Sequence, residues 1–400
     1  MNRQPFGTPP RRWEDKLNRV WVRATRGFRR RQLKRLQNIV AVEPTNLAVV
    51  KRAQQAGCGI LIIANHSAHY DSNSLYVAAD QINSPMYFMT AWQVFQVSSR
   101  WECKAMQMMG CFSVDRDGTD RQAFKRASEI LQRERFPLVI FPEGDIYHTS
   151  DRVKPFREGA AAIALSAARK NRRKTVVVPT GIRFSYIDDP TPRLHEVATK
   201  LEQRINLRPA PSQSLQSRIG RVTSTLLTMK EREYLGQEQQ GEIAERIESL
   251  TERILEDLSD RYQGAIEGTI PEQVQTIRQQ VTRNADRFHR QRDLEALFLV
   301  IQLYSYPADY LSDDPSLERL AETVDKLEED VLGAEYPSIK GRRKVSIMFD
   351  EPIDVVANGN RRGDIQSLTT QMQSRVQAMV DQLARPVAEC SRVREQQPCA

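Results

Sequence analysis

Apolar positions in this chain follow two different rhythms. Short, dense runs at 59–64, 86–90, 111–114, 137–141 and 175–184 predict strands, and the stretches between them carry helical periodicity. Thr119-Asp120-Arg121-Gln122 reads as a capping box opening a helix to about Arg133, and the Ala-rich Gly159–Arg169 stretch reads as another helix. That alternation predicts an α/β core, a mixed and mostly parallel sheet flanked by helices. From 191 to 340 the rhythm becomes helical throughout, with helices expected at about 193–204, 213–235, 241–262, 271–302 and 315–332. No repeat period is evident there, so a solenoid is not supported. Strand character returns at Lys344–Phe349. The chain thus divides into an N-terminal helix (1–40), a core (41–190), a large helical insertion (191–340), a returning strand and helix of the core (341–385) and a tail (386–400).

Ahead of the core, Leu17, Val20, Trp21, Ala24 and Phe28 recur at helical spacing from Trp13 onward, flanked by arginines. Residues 1–40 hold twelve Arg or Lys against Glu14 and Asp15, a net of +10, whereas the whole chain is +8, so the other 360 residues sum to −2. Localised basicity predicts one cationic arm rather than a nucleic-acid coat, so no nucleic acid is expected as a partner. A basic amphipathic helix of this kind suits an anionic membrane surface, where each cation contributes about 1 kcal/mol. No apolar run reaches the ~18 residues of a membrane span, and the arm lacks the apolar centre of a signal peptide. The expectation is a cytoplasmic protein, peripheral on the cytoplasmic membrane face. Cys58, Cys103, Cys111, Cys390 and Cys399 form no paired framework and read as free thiols.

The chemistry concentrates where the first core strand ends. Ile60-Leu61-Ile62-Ile63-Ala64 delivers His66-Ser67-Ala68-His69-Tyr70-Asp71 into a helix-like stretch. His66 and Asp71 are separated by four residues, so the carboxylate can hold one imidazole nitrogen and leave the other to take a proton, a base without an adjacent nucleophile. Three further blocks follow: Gly110-Cys111-Phe112-Ser113-Val114-Asp115-Arg116, Phe141-Pro142-Glu143-Gly144 and Val176-Val177-Val178-Pro179. Arg116 sits at a strand end, and a planar guanidinium binds phosphate oxygens in pairs.

These blocks, in this order, resemble those of the glycerolipid acyltransferase family, whose best known members are the 1-acylglycerol-3-phosphate acyltransferases. Pro155-Phe156-Arg157-Glu158-Gly159-Ala160 resembles that family's Phe-Lys-x-Gly segment, and Asp350-Glu351-Pro352-Ile353 its closing turn. The resemblance spans about residues 55–185 plus a strand near 345–355. It implies a glycerolipid acyltransferase-like core in which a fatty acyl group passes from acyl-CoA or acyl-carrier protein to the hydroxyl of a lysophospholipid or glycerol-phosphate acceptor. The family's general-base role falls on His66 and the orienting role on Asp71. Acceptor binding falls on Gly110, Arg116, Glu143, Gly144 and Arg157. No cofactor or metal is implied beyond the acyl thioester. The chain departs from the family where Thr-Arg-Ser usually follows: it reads Asp145-Ile146-Tyr147-His148, with Lys154 or Arg157 as replacement cation. That departure weakens lysophosphatidic acid as the particular acceptor.

Two other readings of the same residues remain open. One is a metal-dependent hydrolase ligated by His66, His69 and Asp71, although Ser72 and Asn73 stand where dense clusters of that type carry another His. The other is a non-catalytic lipid-binding scaffold that works through its insertion. Otherwise His69 reads as a pocket-wall or hydrogen-bonding residue, and His148 as an ordinary loop histidine outside the site.

Overall fold

The computed structural model describes residues 9–384, apart from 117, 119, 263–267, 285–286, 307–314 and 358. The tail 386–400, with Cys390 and Cys399, lies outside the described residues, as does Thr119.

An eight-stranded mixed sheet organises the core. Its strands are β1 (Ile39–Thr45), β2 (Gly59–Ala64), β3 (Tyr87–Ala91), β4 (Cys111–Val114), β5 (Leu138–Ile140), β6 (Thr175–Tyr186), β7 (Arg343–Phe349) and β8 (Ile353–Asp354). They lie in the order β1-β7-β6-β2-β5-β3-β4, with β8 beside β6. All neighbours run parallel except β6 with β7 and β6 with β8. Every residue of β2 is buried, as a central parallel strand covered on both faces requires. Ile60 and Ile62 pack on one side with Leu75 and Ala78, and Leu61 and Ile63 on the other with Ala123, Ile130 and Ala164.

β1 and the short β8 are absent from the sequence expectation. The β1 segment carries Glu43 and Pro44, which weaken any strand pattern, and it survives as an edge strand paired with β7 alone. Edge position leaves a proline with no sheet bond to lose.

The helices are α1 (Arg19–Ala24), α2 (Arg26–Gln37), α3 (Ala48–Gln55), α4 (Asp71–Ala79), α5 (Trp92–Val97), α6 (Arg100–Met108), α7 (Arg121–Arg133), α8 (Gly159–Arg169), α9 (Thr191–Arg204), α10 (Leu215–Leu235), α11 (Ile243–Tyr262), α12 (Ile270–Asn284), α13 (Arg287–Ser305), α14 (Leu317–Leu332) and α15 (Arg361–Ala384). Asp120 caps α7 by accepting from the Ala123 amide at 2.8 Å. The single helix expected over 271–302 is two, α12 and α13.

The N-terminal helix also departs from expectation. Residues 13–18 are not helical, and Trp13 is buried and stacked on Phe95 at 5.2 Å. Asn18 then caps α1, and Thr25 separates it from α2. Val22, Arg29 and Leu33 face the core, with Arg29 in a bidentate pair to Asp80 at 2.7 and 2.8 Å. The predicted stripe is split: Val20 and Phe28 are 77% and 65% exposed and Ala24 faces outward, whereas Leu17 packs against the core and Trp21 is half-buried beside Trp101.

The insertion is an excursion from a β-hairpin. Tyr186 of β6 pairs with Arg343 of β7, and everything between leaves and re-enters through that base, which an Arg342–Asp188 ion pair at 2.7 Å reinforces. Its helices bury two apolar clusters, one among α11, α12 and α13 and one among α9, α10 and α14. Tyr147 from the core belongs to the first of these clusters. The insertion therefore packs over the end of the sheet from which the sequence blocks emerge. Among the described residues no helix is long and apolar enough to cross a membrane.

Candidate functional site

Strands β2, β5 and β4 run parallel, through β3 in the case of β4, so their carboxyl ends lie along one edge of the sheet. His66, Glu143 and Arg116 each follow one of these ends. Helix α4 begins at Asp71, and the turn between β2 and α4 folds the Asp71 side chain back along residues 66–70. Its Oδ2 accepts from the Ala68 amide at 2.9 Å and lies 2.8 Å from His66 Nδ1. Asp71 is fully buried and the His66 side chain 20% exposed, so the dyad has a sealed end and an open one.

Three further contacts brace the imidazole. Its ring stacks on Phe141 at 4.2 Å, and its backbone amide donates to Glu143 Oε1 at 2.7 Å. Asn65 pairs with both backbone groups of Ile182 at 2.9 and 2.8 Å, pinning the strand end to β6. Glu143 Oε2 accepts from the Lys154 amide at 3.2 Å. Burial pushes the Glu143 carboxyl up to about 8, against the lowering effect of those two amides. Both oxygens of Glu143 thus hold backbone amides within the protein.

Two guanidinium groups meet at Gly144. Arg116 Nη1 donates to the Gly144 carbonyl and lies 3.9 Å from Asp145. Arg157 occupies the other side. A Cβ on Gly144 would stand 2.6 Å from Arg157 Nε and displace that guanidinium, and Gly144 adopts φ +80°, where any other side chain is strained. Burial acts to raise the Asp145 carboxyl, but Arg116 beside it holds it below its ordinary value. Lys154 does not serve as the replacement cation expected for this block. Its Nζ donates to the Tyr304 carbonyl at 2.9 Å and lies 4.5 Å above the Tyr304 ring, so the insertion takes it.

Gly110 does not join the site. It precedes β4, and the register Cys111–Phe88–Val139–Ile62 sets it about five residues, roughly 16 Å, below His66 along the sheet. Its φ of +90° and the Met86 carbonyl, 2.5 Å from where a Cβ would sit, explain the glycine as a tight backbone approach.

The ligand set His66, His69 and Asp71 is not assembled either, because Asp71 is committed to His66 and His69 turns elsewhere. His69 Nε2 lies 2.7 Å from Glu329 Oε1 on α14, and His148 Nε2 approaches the same oxygen at 3.2 Å. Burial acts to raise Glu329, but the His148 and His69 imidazoles beside it outweigh that effect and hold the carboxyl well below its ordinary range, while burial lowers His148. Among the described residues, His69, His148 and Glu329 are the one convergent set of three metal-type side chains. Sequence reasoning passed over His148, and nothing local could have paired it with a residue 181 positions away.

No curated protein matches this sequence. A family model described as Acyltransferase matches residues 42–183, a span that begins within β1, ends within β6 and contains His66, Asp71, Arg116, Glu143, Gly144 and Arg157. Over that part of its length the chain carries an acyltransferase-family domain, whose His-x4-Asp pair stands at the carboxyl edge of a mixed α/β sheet.

Proposed function

We propose that the protein is an O-acyltransferase that moves a fatty acyl group from acyl-CoA or acyl-carrier protein to the hydroxyl of a lysophospholipid or glycerol-phosphate acceptor. One observation carries the reading: Asp71, fully buried, holds His66 Nδ1 at 2.8 Å on the domain that matches the acyltransferase family. Asp71 fixes the tautomer and orientation, and Nε2 takes the acceptor's hydroxyl proton. The alkoxide oxygen forms the new C–O bond at the thioester carbonyl, the C–S bond breaks, and the imidazolium returns its proton to the departing thiolate. A thioester is already activated, so a positioned base suffices without a covalent enzyme intermediate.

Arg116 and Arg157, gathered at Gly144, bind the acceptor's phosphate. Asp145 beside Arg116 offsets part of that charge, which favours acceptors whose headgroup also offers a cation or hydroxyl over a bare phosphate monoester.

The enzyme works at the cytoplasmic face of an anionic membrane. Exposed Val20 and Phe28 enter the interface, and exposed Arg19, Arg23, Arg30, Arg31, Lys34 and Arg35 lie among the headgroups.

The test offers the purified chain a panel of lysolipids with acyl-CoA and acyl-carrier protein and follows thiol release. His66→Ala should lose at least ~100-fold in rate with its fold intact. Equal rates for the variant and the wild type would exclude His66 as the base.

A further inference from the structure

The cluster beside the dyad is unused by the chemistry above. His69 lies in the β2–α4 turn, His148 in the loop after β5 and Glu329 on α14, so three segments distant in sequence converge at one point. Each offers one ligand-type atom within 4.8 Å of those of the other two. The Glu329 side chain is fully buried and the His69 side chain 11% exposed. His148 is 5% exposed, and its Nε2, although 3.2 Å from Glu329 Oε1, is not aligned to hydrogen bond with it and has no other partner. Such a nitrogen, buried beside a shared carboxylate oxygen without a hydrogen bond to it, is costly unless something else accepts its lone pair or proton.

A metal ion does so. We propose that His69, His148 and Glu329 bind a divalent transition-metal ion of the zinc type, which fastens the helical insertion to the turn that carries His66. Zinc takes imidazole and carboxylate ligands at about 2.0–2.2 Å, which sets tetrahedral ligand atoms about 3.3 Å apart. The distances of 2.7 and 3.2 Å between the imidazole nitrogens and Glu329 Oε1 need only small side-chain movements to meet that spacing. Two neutral imidazoles and one carboxylate form a borderline donor set that suits zinc over magnesium or calcium, which prefer all-oxygen ligands. Water completes the fourth position. The site is separate from the base: Asp71 stays with His66, and neither ligates the ion.

The inference does not depend on the acyl-transfer reading, so its test reads metal rather than turnover. Tag-free, full-length protein is purified without chelator, its zinc measured by mass spectrometry, and the ion replaced with cobalt. The expected result is about one zinc per chain, intense visible bands of tetrahedral cobalt, and a melting temperature that rises on adding zinc. His148→Ala and Glu329→Gln should each weaken binding by at least ~100-fold, more than the 10–100-fold typical of losing a group behind a ligand. His66→Ala should keep the metal in full. Cobalt spectra on the wild type decide the matter even if a variant fails to fold. A wild type that binds no zinc and gives no tetrahedral spectrum overturns the proposal and leaves a plain His–Glu–His contact. Metal retained in both Glu329→Gln and His148→Ala, or lost in His66→Ala alone, overturns it as well.

Discussion

Replacing Asp71 with Asn tests whether the carboxylate acts through its charge. The side chain is fully buried, and its Oδ2 lies 2.8 Å from His66 Nδ1 and 2.9 Å from the Ala68 amide. An amide is nearly isosteric, so the turn can keep its shape by presenting the amide oxygen to both donors. What disappears is a full negative charge facing the imidazolium that forms as the acceptor is deprotonated. Charges about 4 Å apart at an effective dielectric near 20 interact by about 4 kcal/mol, equivalent to roughly a 10³-fold loss of rate. The comparable substitution in serine proteases costs about 10⁴. Ground-state binding of thioester and acceptor does not involve this charge, so the loss should fall on kcat with KM little changed. The assay is continuous thiol release under saturating lysolipid and acyl-CoA, with the thermal melt recorded alongside. A folded variant retaining more than about a tenth of wild-type kcat would refute the electrostatic role, because no orienting effect alone accounts for a buried ionised partner at this distance.

Two further outcomes follow from the same geometry. Burial lifts Glu143 from 4.5 to about 8, so between those values the native state holds a proton that the unfolded chain has lost, and stability falls as pH rises through the window. Glu143→Gln removes that slope. Urea midpoints at pH 5.5 and 8 should show the wild type losing up to about 3 kcal/mol more than the variant between the two, and parallel pH curves would show that the carboxyl does not titrate there. On the surface, Val20→Ser with Phe28→Ser should weaken co-sedimentation with anionic vesicles by about tenfold while sparing the melting temperature, since both side chains are exposed. Vesicle binding that is unaltered would assign membrane contact elsewhere. Deleting residues 1–40 cannot make this test, because Trp13, Val22 and Leu33 are part of the core and β1 begins at Ile39.

What was legible in the chain was whatever repeats locally. Buried parallel strands are apolar on both faces, so Gly59–Ala64 and Leu138–Ile140 announce themselves, and a strand end followed by His-x4-Asp and a helix announces a place for chemistry. His66 and Asp71 could be paired from spacing because one turn connects them, and the covalent chain limits how far apart they can fall. The α1–α2 stripe was visible too, but its facing was not. Periodicity identifies a helix face without saying whether core or solvent meets it, and Val22, Arg29 and Leu33 turned out to be the inward side.

Tertiary structure alone decided everything that depends on segments far apart in the sequence. β1 becomes a strand because β7, three hundred residues later, supplies its hydrogen bonds, and its own Pro44 and Glu43 argue the other way. Gly110 lies in the same block as Arg116, yet β4 carries the two to opposite ends of the sheet. That both oxygens of Glu143 hold backbone amides, of His66 and of Lys154, is likewise visible only in the fold. Glu329 meets His69 and His148 only because the hairpin base at Tyr186–Arg343 returns the insertion to the edge it left. A sequence records local preference, which is a property of neighbours. Convergence of distant groups is set by packing free energy summed over the whole fold, and no short window of residues contains it.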